Sequence, residues 1–337
     1  MMTEPVRVAA VGIGWWSGVL ADAIPKGTNL KLVTCTTRSA DKRAAFAEKY
    51  RCRQAESFEA VLKDAEVEGV LLTTPHTLHA EQVIAAAQAG KHVFVEKPFT
   101  LTVAEGRKAT EACRRAGVVL SVGHGRRRQP ANRTLKTMID DGTLGRVIQI
   151  EGNISSSTGF TLKPGGWRTD PRETPAGAMT GLGIHHVDTF QYLLGPIVRV
   201  FAFSRRQVLT GMEIDDTTGI LLEFASGILG YLGTAFVLAN RTNLLALHGT
   251  EAQAFSEAEG SRLFLQKKGE PDRSPIPLRP VDIIVEELAE FSRCVREGGR
   301  PEVGGEEGTT NVAVLEAIVE SAKTGRPVFL GRHAGQR

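Results

Sequence analysis

No apolar run in this sequence reaches the roughly 18 residues that a membrane-spanning helix needs, so neither a membrane nor its surface is an expected partner. Cysteine is scarce: four residues in 337, at positions 35, 52, 113 and 294, too far apart for a metal cluster or a redox pair. That excludes a disulfide-stapled scaffold and makes a reducing cytoplasm the expected compartment. An excess of one charge is missing as well. The 41 Lys and Arg against 38 Asp and Glu leave +3, too little to expect nucleic-acid binding. Met1-Met2-Thr3-Glu4-Pro5 runs straight into a short apolar strand, without the charged and then apolar stretch of a secretory signal. There is no Gly-x-Ser-x-Gly elbow, no His-Glu-x-x-His and no internal repeat, which removes the common serine-hydrolase and zinc-protease chemistries.

What is present is alternation. Short β-branched runs at Val6–Val11, Leu30–Thr36, Val67–Thr73, Val93–Val95 and Val118–Val122 are separated by stretches with helical spacing of apolar residues, such as Ala40–Tyr50, His79–Ala89 and Val103–Arg115. Strands alternating with helices predict βαβ units around a parallel sheet covered on both faces. Beyond about residue 125 the pattern changes. The strand Val147–Ile154 leads into a Gly/Pro/Ser-rich stretch, Ser155–Pro175, long enough to expect a binding loop. After a helix over about 179–194, short runs follow one another without helices between them, which predicts an antiparallel sheet. Two helices, over about 282–297 and 306–324, close the chain. The expected architecture is an α/β Rossmann domain over residues 1–124 and an α+β domain with a large, mainly antiparallel sheet over 125–330.

The first strand ends in Gly12-Ile13-Gly14-Trp15-Trp16-Ser17-Gly18. The first glycine permits a tight turn and the second lets a pyrophosphate approach the backbone at a helix N-terminus. Ser17 stands where the fingerprint has its third glycine. The bland alternative is a structural turn. At the end of the second strand, where a carboxylate would hold a ribose diol, the chain reads Thr36-Thr37-Arg38-Ser39, with no acid before Asp41. Hydroxyls with a guanidinium suit a 2′-phosphate, so the cofactor expectation is NAD(P) with NADP favoured. The alternative is that Arg38 is a solvated loop residue or stacks on adenine. Thr74-Pro75-His76 and Glu96-Lys97-Pro98 each follow a strand, where ligands of open α/β sheets bind. A lysine there can stabilise a developing alkoxide; it can equally be a surface residue.

These segments together resemble the glucose–fructose oxidoreductase/inositol dehydrogenase/rhizopine-catabolism (Gfo/Idh/MocA) family. The resemblance spans nearly the whole chain: the Gly12–Gly14 turn, Thr74-Pro75-x-x-x-His79, Gly90-Lys91-His92-Val93-Phe94-Val95-Glu96-Lys97-Pro98, Gly123-His124-Gly125-Arg126-Arg127, Gly142-Thr143-Leu144-Gly145, Trp167-Arg168 and Gly183-Ile184-His185-His186-Val187-Asp188. It implies a Rossmann domain followed by a domain with a large open sheet that commonly mediates dimers or tetramers. It also implies a Lys-Pro peptide that is often cis, Lys97 as the active-site lysine and His185 as the proton-transferring histidine. Sugar-dehydrogenating members often carry an aspartate four residues before that histidine, where this chain has Gly181.

On that footing the nucleotide site is expected to involve Gly12, Ile13, Gly14, Trp15, Trp16, Thr37, Arg38, Ser39, Thr74, Pro75, His76, His79, Glu96 and Lys97. One of the two tryptophans covers the pyrophosphate or nicotinamide, or both pack in the core. His79 either serves that site or caps a strand or helix end. Arg127, Trp167, Arg168 and Asp188 are the expected substrate residues, Asp188 either orienting His185 or pairing structurally. His124 is read as a pocket wall, His186 as packed on the sheet, and His248 and His333 as structural or exposed. No metal is expected. The function implied is hydride transfer between nicotinamide and a secondary alcohol or ketone of a small molecule: a sugar, a polyol or a related cyclic substrate. Alternatives are a dehydrogenase for a non-sugar diol or hydroxy acid of aromatic catabolism, an NAD-dependent glycosidase, and a cofactor-binding protein with degraded catalysis.

Overall fold

The computed structural model describes residues 4–331; the first three residues and His333 lie outside the described residues. The chain begins with β1 (Val6–Val11), α1 (Trp15–Ala23), β2 (Leu30–Thr36), α2 (Ala40–Tyr50), β3 (Arg53–Gln54), α3 (Phe58–Lys63), β4 (Gly69–Leu72), α4 (His79–Gln88), β5 (His92–Glu96), α5 (Val103–Ala116) and β6 (Leu120–Gly123). The strands form one six-stranded sheet in the order β3-β2-β1-β4-β5-β6, every pair parallel. That order reverses between β1 and β4, and the reversal opens a crevice at their carboxyl ends, where this architecture binds ligands. The strands are apolar on both faces, as a doubly covered sheet requires: Val8, Ala9, Val70, Val93, Phe94 and Val95 are all fully buried. Helix starts follow their caps. Ser39 accepts a bond from Lys42 N, Ser57 from Ala60 N, and Thr102 makes a reciprocal capping box with Glu105.

The chain continues with α6 (Pro130–Asp140), β7 (Val147–Ser155) and α7 (Ile184–Leu194), the last preceded by a π turn over Met179–Gly183. Then come β8 (Ile197–Arg205), β9 (Thr217–Phe224), β10 (Leu229–Ala235), β11 (Thr242–Gly249), β12 (Ala252–Glu257), β13 (Arg262–Lys267), β14 (Ser274–Ile276), α8 (Ile283–Glu297), α9 (Gly305–Thr324) and β15 (Val328–Phe329). A nine-stranded sheet runs β14-β13-β12-β11-β7-β10-β9-β8-β15, antiparallel except for the β7–β10 pair. Its inner face carries Ile150, Ile154, Val200, Leu222, Leu232 and Leu247 against α6 and α7. Helix α7 approaches β7 at Gly152, where a Cβ would stand 2.6 Å from the His186 ring and 2.8 Å from that of Phe190. Only glycine admits the helix so close.

Two compact units result. Of the described residues, one holds 4–125 with Asp282–Val312; the other holds Arg126–Val281 with 313–331. The segment 282–312 thus departs from the continuous 125–330 domain expected from the sequence. The cause is the apolar face of α8, which buries Leu288 and Phe291 among Val6, Val8, Leu20, Leu71 and Phe94. The Phe94 and Phe291 rings meet edge to face at 6.1 Å.

Candidate active site

In the first unit, β1 delivers Gly12 with a φ of +82°, and a Cβ there would stand 2.7 Å from Thr74 Cγ2 at the end of β4. Glycine is therefore fixed both by backbone conformation and by the neighbouring strand. Thr73 locks the same turn, its hydroxyl donating to Gly12 O at 2.5 Å. Gly14, the N-cap of α1, is different: a Cβ built on it meets nothing within 4 Å. The helix it opens has no side-chain cap and no acid in its first turn. A helix N-terminus without a side-chain cap or a first-turn acid, and with open space at Gly14, fits the pyrophosphate of a dinucleotide.

The other expected nucleotide residues gather around this turn in distinct ways. Thr37 is half-buried, and its carbonyl accepts from Arg43 Nη1 at 2.9 Å; Arg38 and Ser39 stand exposed beyond β2. Ile13, Pro75 and His76 are partly exposed and Trp15 fully so. Trp16 turns inward, and its indole N–H donates to the carboxylate of Glu96. Of the two arrangements open to the tryptophan pair, Trp16 therefore takes an interior one, anchored by a polar bond, while Trp15 stands out in solvent. His79 is fully buried, with Nδ1 2.9 Å from Pro98 O and Nε2 3.0 Å from Thr74 O. It ties the loop after β4 to the loop after β5. Lys97 is half-buried directly after β5 and its peptide to Pro98 is cis.

Glu96 is 7% exposed, and burial pushes its carboxyl up to about 7 against the opposing pull of Lys97 and the Trp16 bond. Gly123 makes room for it: a Cβ there would stand 2.8 Å from Glu96 Oε1. His124, read as a pocket wall, is instead buried, its Nε2 3.3 Å from Asn311 Nδ2. The return of α9 to this unit supplies that partner, which local sequence could not indicate.

In the second unit, α7 presents His185 half-exposed and turns His186 inward. His186 stacks on Phe190 and bonds Leu244 O at 2.9 Å, and burial pushes its imidazole down to about 4. It is packed on the sheet, as expected. The two expected substrate residues Arg127 and Asp188 face each other. Arg127 Nε and Nη2 donate to the two Asp188 oxygens at 2.9 and 2.7 Å, and both side chains are buried. The fork-to-carboxylate match pairs the two charges and ties α7 to the turn that carries Arg127. Trp167 and Arg168 stack on one another at 4.3 Å on an exposed turn, while Asp170 is taken up by Arg172 at 2.7 Å. His248 bonds Gln253 Oε1 at 2.6 Å, within the sheet.

Two residues escaped sequence reasoning. Asp216 is fully buried and accepts from the amides of Gln207, Val208 and Leu209 at 2.8–3.0 Å; these bonds outweigh burial and hold its carboxyl low. Phe236, just beyond β10, packs its ring against Gly181. Neither sits in a motif; an acid followed by a β-branched pair is the only local hint at Asp216.

Residues 6–124 match a family model described as an oxidoreductase family with an NAD-binding Rossmann fold, and residues 132–255 match the GFO/IDH/MocA C-terminal domain. The chain is 28% identical over 310 residues to 1,5-anhydro-D-fructose reductase of Ensifer adhaerens, covering 89% of this chain and 91% of that protein. It is 30% identical to the NAD(+)-dependent scyllo-inositol 2-dehydrogenase of Bacillus subtilis, covering 80% of each. A crystal structure from Desulfitobacterium hafniense, provisionally described as an NADPH-dependent oxidoreductase, superimposes with a TM-score of 0.92 at 36% identity, covering 98% of this chain and 99% of that one. With residues 6–124 and 132–255 matched in order, the protein belongs to the Gfo/Idh/MocA family of oxidoreductases.

Proposed function

We propose that the protein is an NAD(P)-dependent oxidoreductase that interconverts a secondary alcohol and its ketone on a sugar, polyol or related cyclic molecule. NADP is the preferred nucleotide in this reading, and Lys97 and His185 are its catalytic residues. The observation that carries it is the crevice at the end of β1, where Gly12 abuts Thr74 and uncapped α1 opens onto free space at Gly14. Two relatives named for anhydrofructose reduction and inositol oxidation support the substrate class.

When bound, the nicotinamide supplies a carbon that accepts or returns hydride. His185 takes the proton of the substrate hydroxyl as the C–H bond breaks and returns it in the reverse direction. The Lys97 ammonium stabilises a developing alkoxide. Arg127 holds the Asp188 carboxylate on the same helix. For the nucleotide preference, Arg38 and Ser39 stand exposed where a ribose-binding acid would otherwise project, a setting suited to a 2′-phosphate.

The outer face of the nine-stranded sheet carries an apolar patch bordered by Glu151, Arg199 and Glu223. Phe201, Leu221 and Tyr231 align across β8, β9 and β10, with Phe203 and Leu229 beside them. A second copy of the chain is the partner proposed for that face, in a cytoplasmic homodimer or homotetramer. The catalytic reading is tested with a panel of hexoses, cyclitols and anhydro sugars, followed by nicotinamide absorbance with each nucleotide. Turnover of at least one alcohol or ketone is expected; nucleotide binding without any turnover overturns it.

A further inference from the structure

We infer that the face of α7 carrying His185 accepts a substrate in which a carbon next to the reacting one bears hydrogen, methyl or a ring methylene in place of a hydroxyl, and that Phe236 sets this preference. The inference rests on His185 handling the hydroxyl proton, as proposed above.

Around the π turn and α7, Gly181, Leu182 and His185 are partly exposed, whereas Met179, Thr180, Gly183, Ile184 and His186–Phe190 are buried. Gly181 and His185, four positions apart, therefore share the one open face of this segment. Position 181 offers no side chain. The Cβ it lacks would stand 3.4 and 3.6 Å from two carbons of the Phe236 ring, so that largely buried ring lies directly against position 181. The ring belongs to a buried apolar cluster with Ala178, Leu209, Met212 and Ile214, against which Leu162, Leu182 and Val237 pack.

The backbone that carries the ring is held in place. Phe236 N donates to Asp216 O at 2.9 Å, and Phe236 O accepts from Gly159 N at 2.9 Å, which pins the long loop to the end of β10. Polar side chains nearby are already engaged: the Ser156 and Thr158 hydroxyls bond each other at 2.7 Å, and the Thr180 hydroxyl accepts from Ala176 N at 3.1 Å. A hydroxyl placed against this wall gives up water and finds an aromatic edge in exchange. An apolar wall of this kind disfavours an added hydroxyl by about 10- to 100-fold, and a carbon with only hydrogens meets no such cost.

The test compares kcat/KM for matched pairs, a hexose or cyclitol against its deoxy or 1,5-anhydro counterpart, with nucleotide affinity measured separately by tryptophan fluorescence. The wild type is expected to favour the deoxy or anhydro member by about tenfold or more. Gly181→Asp, and the smaller Gly181→Ser should the first not fold, are expected to narrow or reverse that ratio by about tenfold while nucleotide affinity holds. Equal or better turnover of the hydroxylated members by the wild type overturns the inference, as does a ratio that neither variant moves. No turnover of any pair with nucleotide bound removes the catalytic reading, and the inference with it.

Discussion

The indole N–H of Trp16 donates to the carboxylate of Glu96, joining the first turn of the helix behind the glycine-rich loop to the strand end that carries Lys97. Eighty residues separate the two partners. The bond fastens the proposed pyrophosphate cradle to the proposed catalytic lysine. It also explains how an almost fully buried glutamate is tolerated: an N–H donor and a neighbouring ammonium offset part of its desolvation.

That glutamate makes stability depend on pH in a stated direction. Burial raises its carboxyl from an ordinary value of 4.5 to about 7. A raised pKa means that the folded state binds the proton more tightly, so this contribution is complete below about pH 4.5 and is lost as pH rises through about 7. The interval corresponds to about 3 kcal/mol. Glu96→Gln, which cannot ionise, should therefore gain about that much relative to wild type between roughly pH 5 and pH 8. Urea titrations of both proteins at the two pH values check this, and a gap that does not change with pH contradicts it.

The Arg127–Asp188 pair makes a second, separable prediction. If Asp188 is a clamp on α7, Asp188→Ala leaves a buried guanidinium without its counter-ion and costs about 3–5 kcal/mol of stability. A residue that oriented the substrate would instead raise KM in a protein of unchanged stability. Chemical denaturation alongside steady-state kinetics separates the two outcomes.

Nucleotide choice turns on Arg38. Arg38→Ala should weaken NADPH by about tenfold or more, the loss of one charge-assisted phosphate contact, and leave NADH within about twofold. Fluorescence titration with each nucleotide reads this directly; equal losses for both remove the preference for NADP.

Much of the first unit was legible because its signals are local. The β-branched run Val6–Val11, the Gly12–Gly14 turn and the threonine at the end of the second strand lie within 31 residues of one another, and β1 and β2 form where those runs stand. The histidine pair on α7 was legible too, since helical geometry alone sends His185 and His186 in different directions. What escaped depends on partners remote in sequence. Arg127 finds Asp188 across 61 residues, His124 finds Asn311 across 187, and Trp16 finds Glu96 across 80. No spacing rule connects such positions. The return of α8 to the first unit is of the same kind: its amphipathic face announces that it must be buried but not against which sheet. The short edge strands β3, β14 and β15 carry too few residues for a period to register.

The central claim is that the half-buried amine at position 97 performs chemistry and does not merely sit at the end of a strand. Lys97→Ala should bind NADPH with wild-type affinity and lose at least about a hundredfold in turnover of the best substrate found in the panel. Nucleotide affinity preserved with turnover abolished is the predicted result; near-normal turnover by that variant contradicts the account.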